Sequence, residues 1–130
     1  MDVRNIADVE AFVTKDGSEI RELLGRRNSA IRNQSLAEAR LAPGAATTPH
    51  RHPRTEEIYY LLEGRAVMRV GRVERAIEAG DAIAIPPGEL HQIENTGDQP
   101  LKFLCCCAPG YEHDDTILSE NRADWPWEKT

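Results

Sequence analysis

Between residues 35 and 107 the sequence is divided into short apolar runs by glycine, proline, asparagine and aspartate, and this pattern constrains the fold more than any other feature. The runs are four to seven residues long, and each break between them contains a residue suited to a turn. Because no run of helical periodicity intervenes, the pattern predicts an all-β fold with an antiparallel barrel. The predicted strands are Leu36–Leu41, Thr47–His52, Glu57–Leu62, Ala66–Val70, Val73–Ala76, Ala82–Ile85, His91–Asn95 and Leu101–Cys107.

The length of 130 residues is sufficient for one domain and too short for two independent cores. We expect residues 1–34 to form a strand and turn extension of the barrel, and residues 35–110 to form the barrel itself. Residues 111–130 are predicted to be a tail that packs on the barrel or on a partner subunit. Within the extension, Asp8–Val13 is predicted to be a short helical turn, and Glu19–Leu24 either a strand or a helix.

The acidic balance of the chain argues against two classes of partner. The formal net charge is −6 and the basic residues are scattered, whereas phosphate binding depends on clustered lysine and arginine. We therefore expect no nucleic-acid partner and no binding to acidic membranes. The first residues lack the apolar core of a signal peptide, and no apolar run reaches the length of a membrane span. Together with the adjacent cysteines at 105–107, expected to be reduced, this favours a cytoplasmic location.

Three of the four histidines occupy positions from which they can converge. His50 and His52 are two residues apart on one predicted strand, so both imidazoles face the same side. Glu57 opens the next strand, and His91 opens a later strand that we expect to lie across the barrel. Two neighbouring strands and one opposite strand would then bring three imidazoles and a carboxylate to one point.

This donor set predicts a site for one divalent transition metal. Three nitrogens and one oxygen suit Fe²⁺, Mn²⁺, Ni²⁺, Co²⁺, Cu²⁺ or Zn²⁺. An octahedral ion with four protein donors would keep two positions open for water, a small-molecule substrate or oxygen.

Two separated segments carry a resemblance to a known family. Residues 44–64 read GAATTPHRHPRTEEIYYLLEG and match the first cupin motif, G-x5-H-x-H-x4-E-x6-G, at every fixed position. Residues 80–95 read GDAIAIPPGELHQIEN and match the second motif, G-x5-P-x-G-x2-H-x3-N. The chain therefore resembles a single-domain cupin. The resemblance implies an antiparallel β-barrel of the double-stranded β-helix or jelly-roll type, frequently dimeric, with a metal inside at His50, His52, Glu57 and His91.

The first motif also bears on two neighbouring residues. Glu56 is the alternative to Glu57 as the carboxylate ligand, but the fixed distance to Gly64 selects Glu57, and strand alternation then turns Glu56 outward. The same alternation turns Tyr59 inward, where its phenol is a candidate catalytic acid or base or a group that orients a substrate. The alternative for Tyr59 is a core aromatic residue with a purely structural role.

The roles of two other residues stay open at this point. Arg40 shares a polar strand face with Glu38. If that face lines the lumen, Arg40 would bind a substrate carboxylate or phosphate; if it lies outside, Arg40 is solvated or contacts a second subunit. His113 follows the last predicted strand and belongs either to a lid or to an exposed turn.

The chain has no G-x-S-x-G elbow, phosphate-binding loop or dinucleotide fingerprint, which argues against serine hydrolysis, phosphoryl transfer and hydride transfer. We expect a small-molecule metalloenzyme, with oxygen-dependent oxidation of a chelating substrate favoured. The alternatives are a non-catalytic module that binds a metal and a small ligand, and a non-redox isomerase, decarboxylase or lyase. A homodimer is also expected, with Tyr60, Leu62, Trp125 and Trp127 as candidate contacts.

Overall fold

The computed structural model describes residues 1–127, and in that part of the chain strands dominate. Residues 128–130, the end of the predicted tail, lie outside the described residues. The helices of residues 1–127 are short 3₁₀ turns at Ile6–Asp8, His113–Asp115 and Arg122–Asp124, and no helix there is long and apolar enough to cross a lipid bilayer. The strands in chain order are β1 (Phe12–Val13), β2 (Glu19–Leu24), β3 (Ser35–Leu41), β4 (His50–Arg51), β5 (Glu56–Glu63), β6 (Arg65–Val70), β7 (Val73–Glu78), β8 (Ala82–Ile85), β9 (His91–Asn95), β10 (Leu101–Ala108) and β11 (Ile117–Leu118).

Two antiparallel sheets form the walls of the barrel. The first sheet has the strand order β1-β2-β3-β10-β5-β8, and the second sheet has the order β11-β4-β9-β6-β7. Buried apolar side chains of both sheets form one core between them. Leu61 and Phe103 enter this core from the first sheet, and Met68 and Ile93 enter it from the second. The predicted all-β, antiparallel fold is confirmed.

Strand β5 shows how the side-chain alternation of the sequence determines the orientation of this wall. Glu57, Tyr59 and Leu61 are buried, whereas Ile58 and the other even-numbered residues through Leu62 are exposed. This is the period of two expected of a strand with one face on the core. Because of this register, the predicted inward orientation of Glu57 and Tyr59 is confirmed.

Gly64 reverses the chain between β5 and β6. Its φ angle is +95°, a left-handed conformation that side chains other than glycine rarely adopt. A Cβ atom at this position would lie 3.3 Å from the Cα atom of Leu101, a tight contact that would require the neighbouring strand to shift. The glycine that ends the first motif is therefore favoured here by its backbone conformation and by the closeness of Leu101.

The strand around the first two site histidines is shorter than predicted. The prediction covered Thr47–His52, whereas β4 contains only His50 and Arg51. Pro49 and Pro53 flank this segment, and proline has no N–H with which to continue a ladder of hydrogen bonds. His52 consequently lies just beyond the end of β4.

The N-terminal segment contributes strands to the first sheet. Strands β1 and β2 form a hairpin, and β2 pairs along β3, so Glu19–Leu24 is a strand and not a helix. The helical turn predicted over Asp8–Val13 is wrong in position: a 3₁₀ turn covers Ile6–Asp8, and Phe12–Val13 is the strand β1. Pairing with β2 makes Phe12–Val13 a strand, because the local conformational preference of so short a segment is weak.

The C-terminal segment adds a strand to the second sheet and meets the N-terminal hairpin. Strand β11 pairs with β4. Residues 14–18 form the turn of the β1–β2 hairpin, and Lys15 in this turn donates from Nζ to the main-chain oxygens of Thr116, at 2.9 Å, and His113, at 3.3 Å. The hairpin turn and the segment around β11 are thereby held together.

Candidate metal centre

His50 and His91 lie side by side in the second sheet. Strand β4 pairs with β9, and these two histidines are direct partners in the register. His52 follows β4, whereas Glu57 reaches the site from β5 in the first sheet. The expectation that His91 lies across the barrel from His50 is therefore wrong. Glu57 comes from the opposite wall instead, because the chain passes from the second sheet to the first after Pro53.

The imidazoles of this centre are buried and close together. His50, His52 and His91 are 1%, 4% and 0% exposed, and their ring centroids are 4.2 to 5.4 Å apart. Their ligand nitrogens all lie within 4.8 Å of one another. Donor atoms bound to one ion at about 2.1 Å are separated by roughly 3 to 4 Å. The three histidines are thus positioned to hold a metal ion.

Main-chain oxygens determine which nitrogen of each ring faces the centre. The Nδ1 atom of His50 lies 2.8 Å from the oxygen of Thr48, and that of His91 lies 3.0 Å from the oxygen of Glu89. The Nδ1 atom of His52 lies 3.2 Å from the oxygen of Asp115. A carbonyl oxygen only accepts hydrogen bonds, so each Nδ1 carries the proton and each neutral ring keeps its lone pair on Nε2. The unprotonated nitrogens therefore face the interior of the site, as metal ligation requires.

Glu57 places a carboxylate beside two of these imidazoles. Its Oε1 atom lies 3.4 Å from Nε2 of His52 and 3.6 Å from Nε2 of His91. Within the described residues, neither Oε1 of Glu57 nor Nε2 of His91 has a hydrogen-bond partner, although both are fully buried. Buried polar atoms are almost always paired, so this geometry fits a cation bound between them. Oε2 of Glu57 is oriented separately by the Cys107 thiol, which donates to it at 3.1 Å.

The protonation states of His50 and Glu57 suit a cation as well. Burial, together with the neighbouring His91, lowers the pKa of His50 to about 4, so this ring is neutral at pH 7. Burial opposes the charged form of His52, but the carboxylate of Glu57 outweighs burial and raises the pKa of His52. Burial also opposes ionisation of Glu57, but His52 and His91 outweigh it and hold the pKa of Glu57 below its ordinary value. Glu57 is therefore an anion at neutral pH, as a carboxylate ligand must be.

Asp16 also belongs to this centre, and the sequence did not predict it. It lies in the hairpin turn of residues 14–18, and its Oδ2 atom is 3.3 Å from Nε2 of His50. Its main-chain oxygen accepts a hydrogen bond from the backbone N–H of Thr48 at 2.8 Å. The composition of the turn indicates a turn and nothing more, since the contact with His50 depends on how the hairpin packs against the rest of the barrel.

A small cavity adjoins the imidazoles. Its volume is about 40 Å³. A cavity of that size has room for roughly three water molecules. Its lining contains apolar side chains and carboxylates. The apolar lining includes Ile20, Ala37, Phe103 and Cys105, and the carboxylates belong to Asp16, Glu22 and Glu57.

Two tyrosines face this cavity. The ring of Tyr59 lies 6.0 Å from that of His91 and 4.7 Å from that of Phe103. Burial, followed by the negative charge of Glu57, raises the pKa of Tyr59 well above its ordinary value, so its phenol stays protonated at neutral pH. Tyr111, from the C-terminal segment, also lines the cavity, with its ring 6.1 Å from that of His52, and was not predicted.

Arg40 and His113, whose roles the sequence left open, lie away from the cavity. Ala37 and Ala39 of β3 pack on the core, so Glu38 and Arg40 lie on the outer face of the first sheet. Arg40 donates from Nε to Oε1 of Glu38 at 2.6 Å. His113 is exposed in its 3₁₀ turn, which matches the exposed-turn alternative.

Asp115 supports the centre from the C-terminal segment. Its buried carboxylate accepts hydrogen bonds from the backbone N–H groups of Arg54, at 3.3 Å, and Thr55, at 3.1 Å. These residues belong to the connection between His52 and Glu57, and the main-chain oxygen of Asp115 faces His52. One residue thus holds two predicted ligands in position. Its distance of about 60 residues along the chain from these partners explains why the sequence pattern did not indicate this role.

Comparisons with known proteins agree with the motifs. The family model described as the Cupin domain matches residues 37–107. An uncharacterized protein of Methanocaldococcus jannaschii is 47% identical over 112 residues, which cover 86% of this chain and 90% of that protein. The oxalate-binding protein of Thermotoga maritima is 36% identical over 86 residues, covering 66% of this chain and 71% of that protein.

The fold also has close counterparts among solved structures. The polyketide cyclase RemF of Streptomyces resistomycificus superposes with a TM-score of 0.77 at 25% sequence identity. The match covers 98% of this chain and 90% of RemF, so it includes the N-terminal hairpin and the C-terminal segment as well as the barrel strands.

The support that Asp115 gives to the centre generates a prediction. The Asp115→Asn substitution should weaken binding of Zn²⁺ or Mn²⁺ by about tenfold, because loss of the outer partners of metal ligands has effects of this size. Titration in competition with a chromogenic chelator measures the affinity. The neighbouring Asp114, which is exposed, provides the matched control, and Asp114→Asn should leave the affinity unchanged. Equal affinities in the two variants would contradict a supporting role for Asp115.

Proposed function

The chain belongs to the cupin family, and from this premise we propose that it is a metal-dependent enzyme that acts on a small chelating molecule. One divalent ion of Fe, Mn, Ni, Co, Cu or Zn would be held by His50, His52, Glu57 and His91. Two observations support the proposal. The ligand nitrogens of His50, His52 and His91 all lie within 4.8 Å of one another. Oε1 of Glu57, a buried oxygen without a hydrogen-bond partner among the described residues, lies 3.4 Å from Nε2 of His52 and 3.6 Å from Nε2 of His91.

The chemistry of the site is divided between ion and protein. A bound divalent ion polarises a ligand oxygen and lowers the pKa of a ligand hydroxyl. The protonated phenol of Tyr59 is then placed to donate a hydrogen bond to that ligand, which is the catalytic role we propose for it. The apolar wall around Ile20 and Phe103 excludes water and strengthens these polar interactions.

The charge of the cavity favours a ligand that is neutral or singly negative. The carboxylates of Asp16, Glu22 and Glu57 line the cavity, so a dianion would be buried against like charges even with a divalent cation present. Arg40, the candidate partner for a substrate carboxylate, lies on the outer face and is paired with Glu38. An enol, a catechol or a singly charged α-hydroxy acid offers two oxygens to the ion without this cost.

The relatives differ on this point. The Thermotoga maritima relative is named for oxalate, a dianion at neutral pH, whereas RemF is a polyketide cyclase. Enolic and phenolic oxygens, which are common in polyketides, carry the charge that this cavity favours. We therefore infer that the substrate of this chain resembles an enolic or phenolic molecule more than it resembles oxalate. Oxygen-dependent oxidation of such a substrate stays a prediction, and a non-redox lyase or isomerase is the alternative that the same site would serve.

The experiment compares metals, ligands and variants in one design. The purified protein is loaded separately with Fe²⁺, Mn²⁺, Co²⁺, Ni²⁺ and Zn²⁺, and the metal content is measured. We expect about one ion per chain, lost in a His50→Ala/His91→Ala double variant that keeps its β-type circular dichroism. The exposed His113 provides the control, since His113→Ala should retain the metal. Acetylacetone and catechol should shift the visible spectrum of the Co²⁺ protein at lower concentration than oxalate does.

Each part of the proposal has its own contrary result. Full metal content in the double variant would overturn the metal site, and tighter binding of oxalate would overturn the ligand class. An oxygen electrode tests the reaction: consumption with Fe²⁺ but not with Zn²⁺ supports oxidation, whereas equal turnover with Zn²⁺ supports a lyase or isomerase. Tight binding of acetylacetone without turnover under every metal would favour the non-catalytic binding module.

We also propose that the protein is a homodimer formed through the outer face of the first sheet. On this face Ile58, Tyr60 and Leu62 are 50%, 41% and 39% exposed and lie in one row along β5. Leu104 and Cys106 of β10 pair beside them and extend the apolar surface. Contiguous apolar patches of this kind on small proteins commonly mark subunit interfaces.

The homodimer can be tested by charge insertion. The Ile58→Asp/Tyr60→Asp double variant should convert the dimer to a monomer in light scattering at micromolar concentration, because a buried charge without a partner is costly. Val73 is 66% exposed on the second sheet, so Val73→Asp should leave the mass unchanged. A monomeric wild-type protein, or a dimer that survives both substitutions in β5, would contradict this interface.

A further inference from the structure

The hairpin turn of residues 14–18 brings a second carboxylate to the metal centre. Oδ2 of Asp16 lies 3.3 Å from Nε2 of His50, a separation close to the 3.4 Å between Oε1 of Glu57 and Nε2 of His52. Neighbouring donors on one six-coordinate ion are about 3 Å apart. Asp16 therefore stands in the same geometric relation to His50 as Glu57 does to His52.

The carboxylate of Asp16 is held in this orientation by its own turn. Its Oδ1 atom accepts hydrogen bonds from the backbone N–H of Ser18 at 2.9 Å and from the hydroxyls of Ser18 and Thr14, both at 2.7 Å. These bonds occupy one oxygen and leave the other directed at His50. The turn is also tied to the ligand itself, because Thr48 donates its N–H to the main-chain oxygen of Asp16 and accepts the Nδ1 proton of His50.

The contact between Asp16 and His50 lacks a proton to share. Because Nδ1 of His50 donates to Thr48, Nε2 of the neutral ring presents a lone pair to the carboxylate oxygen. Two acceptor atoms at 3.3 Å repel each other unless a cation lies between them. A metal ion bound by both atoms removes this repulsion.

We propose that Asp16 is a fifth protein donor to the metal ion, through Oδ2. The inference rests on the proposed metal site and adds to it. With five protein donors, a six-coordinate ion keeps one position for an incoming ligand, so a chelating ligand must displace one donor to bind through two oxygens. Asp16 is on a hairpin turn, whereas His50, His91 and Glu57 are on strands. His52 lies beyond its strand, but its ring is bonded to the main-chain oxygen of Asp115. We therefore infer that Asp16 is the donor that is displaced.

The test measures metal affinity and ligand affinity in the same variants. Asp16→Asn keeps an oxygen for the Ser18 and Thr14 hydrogen bonds but removes the negative charge. Glu22→Gln is the matched control, because it removes the same charge from the same cavity at a residue without a contact to the site histidines among the described contacts. Thermal unfolding of the metal-free proteins verifies that each variant is folded.

We expect Asp16→Asn to weaken Co²⁺ and Mn²⁺ binding by about 10- to 100-fold and to shift the visible spectrum of the bound Co²⁺. Glu22→Gln should change the affinity by less than about threefold, as expected of a charge that does not touch the ion, and should leave the spectrum unaltered. Once loaded with Co²⁺, the Asp16→Asn protein should bind acetylacetone more tightly than the wild type does, because the competing donor is weaker.

Several results would overturn the inference. If Asp16→Asn binds Co²⁺ as tightly as Glu22→Gln with an unaltered spectrum, Asp16 is not a ligand, although the metal site itself stands. If both variants lose affinity to the same large extent, Asp16 acts only as a distant charge, and the inference is overturned as well. A wild-type protein that binds none of these metals would overturn both this inference and the proposed function.

Discussion

The hydrogen bonds between three imidazole N–H groups and main-chain oxygens are the interactions on which the rest of this site depends. The oxygens of Thr48, Glu89 and Asp115 are rigid parts of the backbone, and each accepts the Nδ1 proton of one histidine. They therefore fix both the orientation and the tautomer of the rings before any ion binds. The barrel serves this arrangement by pairing β4 with β9 and by bringing β5 to the opposite wall.

Much of this architecture could be predicted from the sequence. Alternation along β5 predicts which side of the strand Glu57 and Tyr59 occupy, because a period of two relates directly to the two faces of a sheet. The spacing of the motifs also identifies the site histidines, because it reflects the lengths of the local turns and strands. Pro49 and Pro53 shorten the strand between them, because proline has no N–H with which to continue the ladder. The apolar pattern alone does not predict this shortening.

Contacts between distant segments are what the sequence did not reveal. Asp16 and Asp115 reach the site from the N-terminal hairpin and the C-terminal segment, and Cys107 reaches Glu57 from β10. No periodicity or spacing links these residues to the histidines, so only the packed chain brings them together. The pairing of β4 with β9 is another such contact. The boundaries of the predicted segments and the cytoplasmic location stay predictions.

The central claim is that the Nε2 atoms of His50, His52 and His91 converge with Oε1 of Glu57 on a single ion. Anomalous diffraction from crystals of the Co²⁺-loaded protein, recorded at the cobalt absorption edge, tests this claim most directly. The account predicts one peak per chain inside the barrel, about 2.0 to 2.3 Å from each of these four atoms. A peak on the Nδ1 side of the rings, at the cysteines of β10 or on the protein surface would contradict it.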